Sequence, residues 1–343
     1  MRRRNQLAAV AMAAAVVATA LSACGDSGSD DEVVLLTHDS FALPDELLTS
    51  FKDQTGLTIK VIKESDAGQL SSSIALTAGS PRGDVVYGID NTFASRVLDA
   101  DALEPYTSPD NDLGPNEDAL PDPNRLTAVD RGDVCVNVDS DWFAQRGQTP
   151  PQNFADLADA RYKGLTVVMD PATSSPGMAF LLATIAAYPS SSAGGWEGYW
   201  QRLKDNDVAV APGWTEAYNQ EFTAGEGKGS KPIVVSYASS PAFLPTTKAL
   251  LNTCFEQIEY AGVLRGAENV EGAQKVVDFL ISEPVQAALP ESMYVYPIRT
   301  GTPLPAEWAQ YAPEPPFAAT MPLDVISKNR EAWQQEWRTV MGR

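Results

Sequence analysis

Val33-Val-Leu-Leu-Thr37, Thr58-Ile-Lys-Val-Ile-Lys63 and Asp84-Val-Val-Tyr-Gly88 are the stretches on which the fold turns. The first is a short apolar run suited to a buried strand, and the second alternates like a half-buried one. The third repeats the apolar pattern. Between the first two, Phe41, Leu47, Leu48 and Phe51 recur at helical spacing until Gly56 stops the helix. Residues 70–78 suit a second helix before the third strand. Strand and helix alternating through short connections predict βαβ units and a mainly parallel sheet.

Working outward toward the C-terminus, residues 107–125 are rich in Pro, Asp and Asn and read as an exposed loop. Residues 134–138, 165–169, 208–211 and 233–237 are further strands with helices between them, a second α/β unit. Residues 258–264 have the pattern of a strand returning to the first unit. An amphipathic helix follows over 270–282, and a last one over 325–341 that buries Trp333 and Trp337. The expected division is one lobe from 33–137 with 258–315, a second from 138–257, and a C-terminal helix within 316–343 packed across both. Open α/β sheets bind ligands at the carboxyl ends of their strands, so the expected site is the cleft between the lobes.

Toward the N-terminus, Arg2, Arg3 and Arg4 precede an apolar run over 7–20 that is short for a membrane span. Its ending, Leu21-Ser-Ala-Cys24, resembles a bacterial lipobox. The expectation is a signal peptide over 1–23, a lipidated Cys24 and a flexible tether over 24–32, with the protein held extracytoplasmically on the outer face of the cell membrane. An ordinary cleavage site followed by a chance Cys is the other reading. The chain carries 25 Lys and Arg against 45 Asp and Glu, a net charge of −20. Such a surface repels nucleic acid and anionic headgroups, so neither is an expected partner.

Three cysteines are present. With Cys24 assigned to lipid, Cys135 and Cys254 form an even extracytoplasmic pair and favour a disulfide; two inert buried thiols are the alternative. His38 is the only His, so a Cys nucleophile lacks the usual base, and His-rich zinc sites are excluded. Gly225-Glu-Gly-Lys-Gly-Ser230 is misordered for a phosphate loop and precedes a strand. No Gly-x-Ser-x-Gly elbow exists. Neither a metal nor a cofactor is expected, and hydrolase chemistry has little support.

What remains is a set of polar and aromatic segments at strand ends: residues 37–41, 64–68, 88–91, 170–177, 213–218, 236–243 and 290–297. Trp214, Tyr237, Phe243 and Tyr294 can wall a slot with π faces, and a delocalised cation between them gains roughly 0.5–2 kcal/mol per good face. Asp66 can accept from a ligand amine. Ser174, with N–H groups at a helix start, can hold a hydroxyl or phosphate. The plainer alternative makes Trp214 and Tyr218 core residues and Asp66 a helix cap.

At these segments the chain resembles the thiamine-binding subunit of bacterial ABC importers, from about residue 33 to residue 343. The resemblance rests on Thr37-x-Asp-Ser-Phe41, Asp84-Val-Val-x-Gly-x-Asp-Asn91, Asp170-Pro-x-Thr-Ser174 with Pro176-Gly177, Gly213-Trp-x-Glu-Ala-Tyr218, Ser236-Tyr237 with Ser240-Pro-Ala242, Tyr296-Pro297 and Ala332-Trp-x-x-Glu-Trp337. It implies a two-lobe periplasmic-binding-protein fold of type II: a monomeric receptor, not an enzyme, that hands thiamine or a thiamine phosphate to a permease. By position, Asp66 would meet the aminopyrimidine, Trp214 and Tyr237 would line the ring slot, and Ser174 would help hold the hydroxyethyl or phosphate end, with Tyr218 a further expected binding residue. His38 stands where the family carries Tyr, Ala67 where Gly is usual, Phe243 where Tyr is usual, and Tyr294 where Trp is usual. A His beside a cationic ligand should be neutral, which predicts weaker binding below its reference pKa of about 6.5. The competing ligands are a polyamine and ferric ion; the competing activity is a thiaminase-like enzyme using Cys135.

Overall fold

The computed structural model describes residues 31–110, 124–190 and 194–343. The leader, Cys24, nearly all of the tether and most of the 107–125 loop lie outside the described residues. Eleven strands are described: β1 (Glu32–Thr37), β2 (Thr58–Lys63), β3 (Val85–Asp90), β4 (Thr127–Arg131), β5 (Val134–Asp139), β6 (Thr166–Met169), β7 (Ala209–Ala211), β8 (Ile233–Tyr237), β9 (Thr247–Phe255), β10 (Ile258–Val263) and β11 (Tyr296–Pro297). They form two sheets, ordered β11-β4-β10-β3-β1-β2 and β7-β6-β8-β5-β9, each the centre of one lobe.

The alternation read from residues 33–88 becomes parallel pairing of β1 with β2 and β3. Parallel pairing recurs where β6 lies between β7 and β8. The sheets are nevertheless mixed rather than mainly parallel. β10 re-enters the first lobe antiparallel to β3 and β4, and β5 enters the second antiparallel to β8 and β9. A strand arriving from the other lobe need not follow the local βαβ rule.

All of β5 belongs to the second sheet, so the first crossover lies at Gly132-Asp133, upstream of the 137–138 division expected from sequence. The return crossover is Glu256-Gln257. The two strands of the hinge are tied by the Gly132 N–H donating to the Gln257 carbonyl at 2.9 Å. Asn91 holds the return strand through its Nδ2, which donates to the Glu256 carbonyl at 3.0 Å. Just inside the second lobe, Cys135 on β5 and Cys254 on β9 form a disulfide.

The second lobe is filled by Phe180, Trp196, Tyr199, Trp200 and, from the C-terminal helix, Trp337. Each such ring removes roughly 150–250 Å² from water, at about 25 cal/mol per Å², so these side chains dominate that core. The C-terminal helix (Leu323–Met341) touches both lobes. Arg330 donates to the Thr92 carbonyl and the Ser95 hydroxyl of the first. Gln334 donates to the Pro171 carbonyl of the second.

Candidate functional site

Both sheets present their strand ends to a cavity of about 300 Å³ between the lobes. From the first lobe come His38, Asp39 and Ser40 after β1, Asp66 and Ala67 after β2, Glu259 from β10, and residues 292–295 after the helix Glu283–Ser292. The second lobe supplies Ser175 and Pro176 after β6, Trp214 and Tyr218 after β7, Tyr237 from β8, and Ser240 and Phe243 after it. Of the nine binding residues expected from sequence, the cavity gathers His38, Asp66, Ala67, Trp214, Tyr218, Tyr237, Phe243 and Tyr294. Ser174 lies behind the wall: it is fully buried, and its hydroxyl accepts from the Gly177 N–H, capping its own helix at 3.3 Å.

Asp66 shows why a carboxylate is needed at this strand end. Its Oδ1 accepts from the N–H of Ala67 at 2.7 Å, capping the helix Ala67–Leu76. The same oxygen accepts from the Ser175 N–H at 3.1 Å, and Oδ2 accepts from the Trp214 N–H at 2.9 Å. The last two donors belong to the other lobe. Asp66 is therefore a cap and a latch at once, with both oxygens engaged. Burial raises its pKa, and the N–H groups of Trp214 and Ser175 pull it back down.

The aromatic wall is built by a widened helical turn. Residues Thr215–Glu221 form a π-helix, a geometry frequent at functional sites. It stacks the Trp214 and Tyr218 rings with centroids 4.8 Å apart and planes 13° apart. The Trp214 indole N–H donates to the Ser236 hydroxyl at 2.9 Å, fixing the ring edge-on to β8. Across the cleft, Phe243 meets Tyr294 at 4.7 Å. Tyr294 holds φ at 56°, a left-handed conformation that costs a bulky residue energy and concentrates at ligand sites. The Ser239 hydroxyl of the second lobe donates to its carbonyl at 2.5 Å.

His38 packs against β3 at Gly88, whose φ is 96°; a Cβ there would lie 2.2 Å from the imidazole. Burial lowers the His38 pKa to about 4. It is already neutral across the physiological range, which corrects the expected loss of affinity near pH 6.5: that titration is displaced to about pH 4. Its Nδ1 is 2.9 Å from the Ser40 hydroxyl.

The charged residues lining the cavity are Asp39, Asp66, Glu226 and Glu259; among the described residues no Lys or Arg lines it. Glu259, missing from the sequence expectations, is a carboxylate inside the apolar strand Ile258-Glu-Tyr-Ala-Gly-Val263, and that anomaly was its signal. Cys135 does not line the cavity and is bonded to Cys254, so the thiol required by a thiaminase-like enzyme is not free.

A family model described as bacterial extracellular solute-binding protein matches residues 80–321. The thiamine-binding periplasmic protein of Brucella melitensis is 24% identical over 331 residues, covering 91% of this chain and 93% of that protein. The thiamine-binding periplasmic protein of Escherichia coli K12 is 26% identical over 328 residues, covering 91% and 94%. A solved structure described as a periplasmic thiamin binding protein superposes with a TM-score of 0.80 at 23% identity, covering 91% of this chain and 96% of that one.

Proposed function

This chain belongs to the bacterial extracellular solute-binding protein family, and we propose that the solute its cavity captures is thiamine. It is an extracytoplasmic binding protein rather than an enzyme. The observation that carries the reading is the composition of the cavity: stacked and facing aromatic rings with four carboxylates and, among the described residues, no Lys or Arg. A flat ring with a delocalised positive charge suits both features, through π contact and charge-assisted contact.

Free thiamine is favoured over its phosphates. The Ser175 N–H at the helix start, where a phosphate would be received, is engaged by Asp66. Among the described residues no Lys or Arg lines the cavity to neutralise the added charge. After closure like a hinged clamp, the receptor passes thiamine as a monomer to the permease of an ABC importer. A lipid on Cys24 keeps it at the membrane; mass spectrometry of the mature N-terminus detects a diacylglyceryl-Cys24 if this holds, and an unmodified residue rejects it.

The ligand is tested by competitive titration with thiamine, thiamine monophosphate, spermidine and ferric citrate. Thiamine binding at micromolar or lower concentration, with the monophosphate weaker, supports the reading. Tight spermidine or ferric binding without thiamine binding overturns it.

A further inference from the structure

The strand register places three carboxylates abreast: Glu259 on β10 stands opposite Asp90 on β3 and Asp130 on β4. Like charges directly opposite on neighbouring strands oppose folding, and all three residues are buried. Their partners are unequal. Asp90 accepts from the Thr92 hydroxyl and the Phe93 N–H at 2.9–3.1 Å, completing a turn. The Tyr87 hydroxyl donates to Asp130 Oδ2 in a short contact. Glu259 is left with that same hydroxyl at 3.4 Å and His38 Nε2 at 3.6 Å. It is also the one of the three that lines the cavity.

We propose that Glu259, backed by Asp130, is the counter-charge for the ligand's positive ring, and that the pair gives up its shared proton when that ring binds. The inference rests on the cationic-ligand reading above and adds the residue and the proton balance. Asp130 and Glu259 face each other on neighbouring strands, both buried and both within reach of the one Tyr87 hydroxyl, so two ionised carboxylates repel there and a proton on one of them relieves the clash. When the cation arrives it replaces that proton, which leaves to solvent: one positive charge enters as another departs.

Among the described residues, Arg330 of the C-terminal helix acts on Asp90, while no Lys or Arg lines the cavity beside Glu259. β3 contributes Tyr87 and Asp90, and the loop after β1 contributes His38 and Asp39. Tyr237 faces the group from the second lobe and Met293 from the first. Arg131 on β4 pairs with Glu314, and Lys63 at the end of β2 is exposed. His38 stays neutral beside the cation. Burial raises Asp130 to about 7, with the Tyr87 hydroxyl working against it; burial together with Asp130 and Asp90 raises Glu259 well above its ordinary range.

The test is calorimetric titration of the whole protein with thiamine, in two buffers of different ionisation heat, from pH 5 to pH 8. The expected result is near one proton released per thiamine at pH 6, falling toward none at pH 8. One proton released corresponds to affinity rising about tenfold per pH unit below about pH 6.5. Glu259→Gln should release no proton and bind thiamine about tenfold or more weakly at pH 7.5, with its fold checked by a melting curve. Asp130→Asn should reduce the release at pH 6, because it removes the facing acid that, after burial, does most to hold a proton on Glu259.

Thiamine binding with no proton released by the wild type, or with release that survives in Glu259→Gln, overturns the inference while leaving thiamine as the ligand. Failure of thiamine to bind at all removes the ligand reading, and this inference with it.

Discussion

At the residue scale, the site shows one side chain serving two lobes. Asp66 caps its own helix and accepts two N–H groups from the opposite lobe, so Asp66→Asn replaces one acceptor oxygen with a donor facing a donor. A buried N–H left unsatisfied costs about 1–3 kcal/mol, charged to the closed state alone. The expected result is roughly tenfold weaker thiamine binding with a larger radius of gyration by X-ray scattering; unchanged values would mean the latch contributes nothing. Sequence reading singled out Asp66, Trp214 and Tyr294, which the cavity gathers, because strand ends are where open sheets bind. It passed over Glu259, which also lines the cavity, for the same reason, since that residue sits within a strand. It also placed Ser174 at the ligand, although the hydroxyl is used by the helix it starts.

At the element scale, closure depends on how nearly two helix starts can approach. Gly68, in the first turn of the helix Ala67–Leu76, lies against the backbone of Thr173 in the other lobe, and a Cβ there would lie 2.6 Å from that carbonyl. Gly68→Ala should therefore leave the melting temperature of the ligand-free protein nearly unchanged and weaken binding at least tenfold by holding the cleft open. Full affinity in the variant would show that this approach is unnecessary. The disulfide acts on the neighbouring elements, closing a separation of 119 residues just beyond both crossovers. Replacing both cysteines by Ser should cost about 4 kcal/mol in urea unfolding, and a loss below 1 kcal/mol would contradict a stapling role. The parallel βαβ order and the final helix were legible as periodicity. The widened turn at Thr215–Glu221 and the antiparallel entry of β5 and β10 were not, because both are set by contacts with the rest of the fold.

At the scale of the whole molecule, the cost of burying acids in and behind the cavity appears in stability. Burial raises Asp66, Asp90 (to about 6), Asp130 (to about 7) and Glu259. The unfolded chain releases these protons near pH 4, so between about 4 and 7 the native state holds more protons than the unfolded one. Stability from these groups is thus greatest at low pH and is lost as pH rises through that window. His38, lowered to about 4, works the other way between 4 and 6.5, one group against several. The ligand-free protein should show a higher urea midpoint at pH 5.5 than at pH 8; a midpoint that climbs with pH would contradict the buried-acid account. The two-lobe architecture was readable because the apolar pattern restarts after each crossover. The acid row was not, since it exists only once β3, β10 and β4 lie side by side.

The most direct measurement is a tryptophan-fluorescence titration of the ligand-free protein with thiamine, repeated on Trp214→Ala. The account predicts saturable quenching at micromolar or lower thiamine in the wild type. In the variant it predicts loss of most of the signal and at least about tenfold weaker binding by calorimetry. No response up to millimolar thiamine, or equal affinity in the variant, would contradict a thiamine site in this cavity.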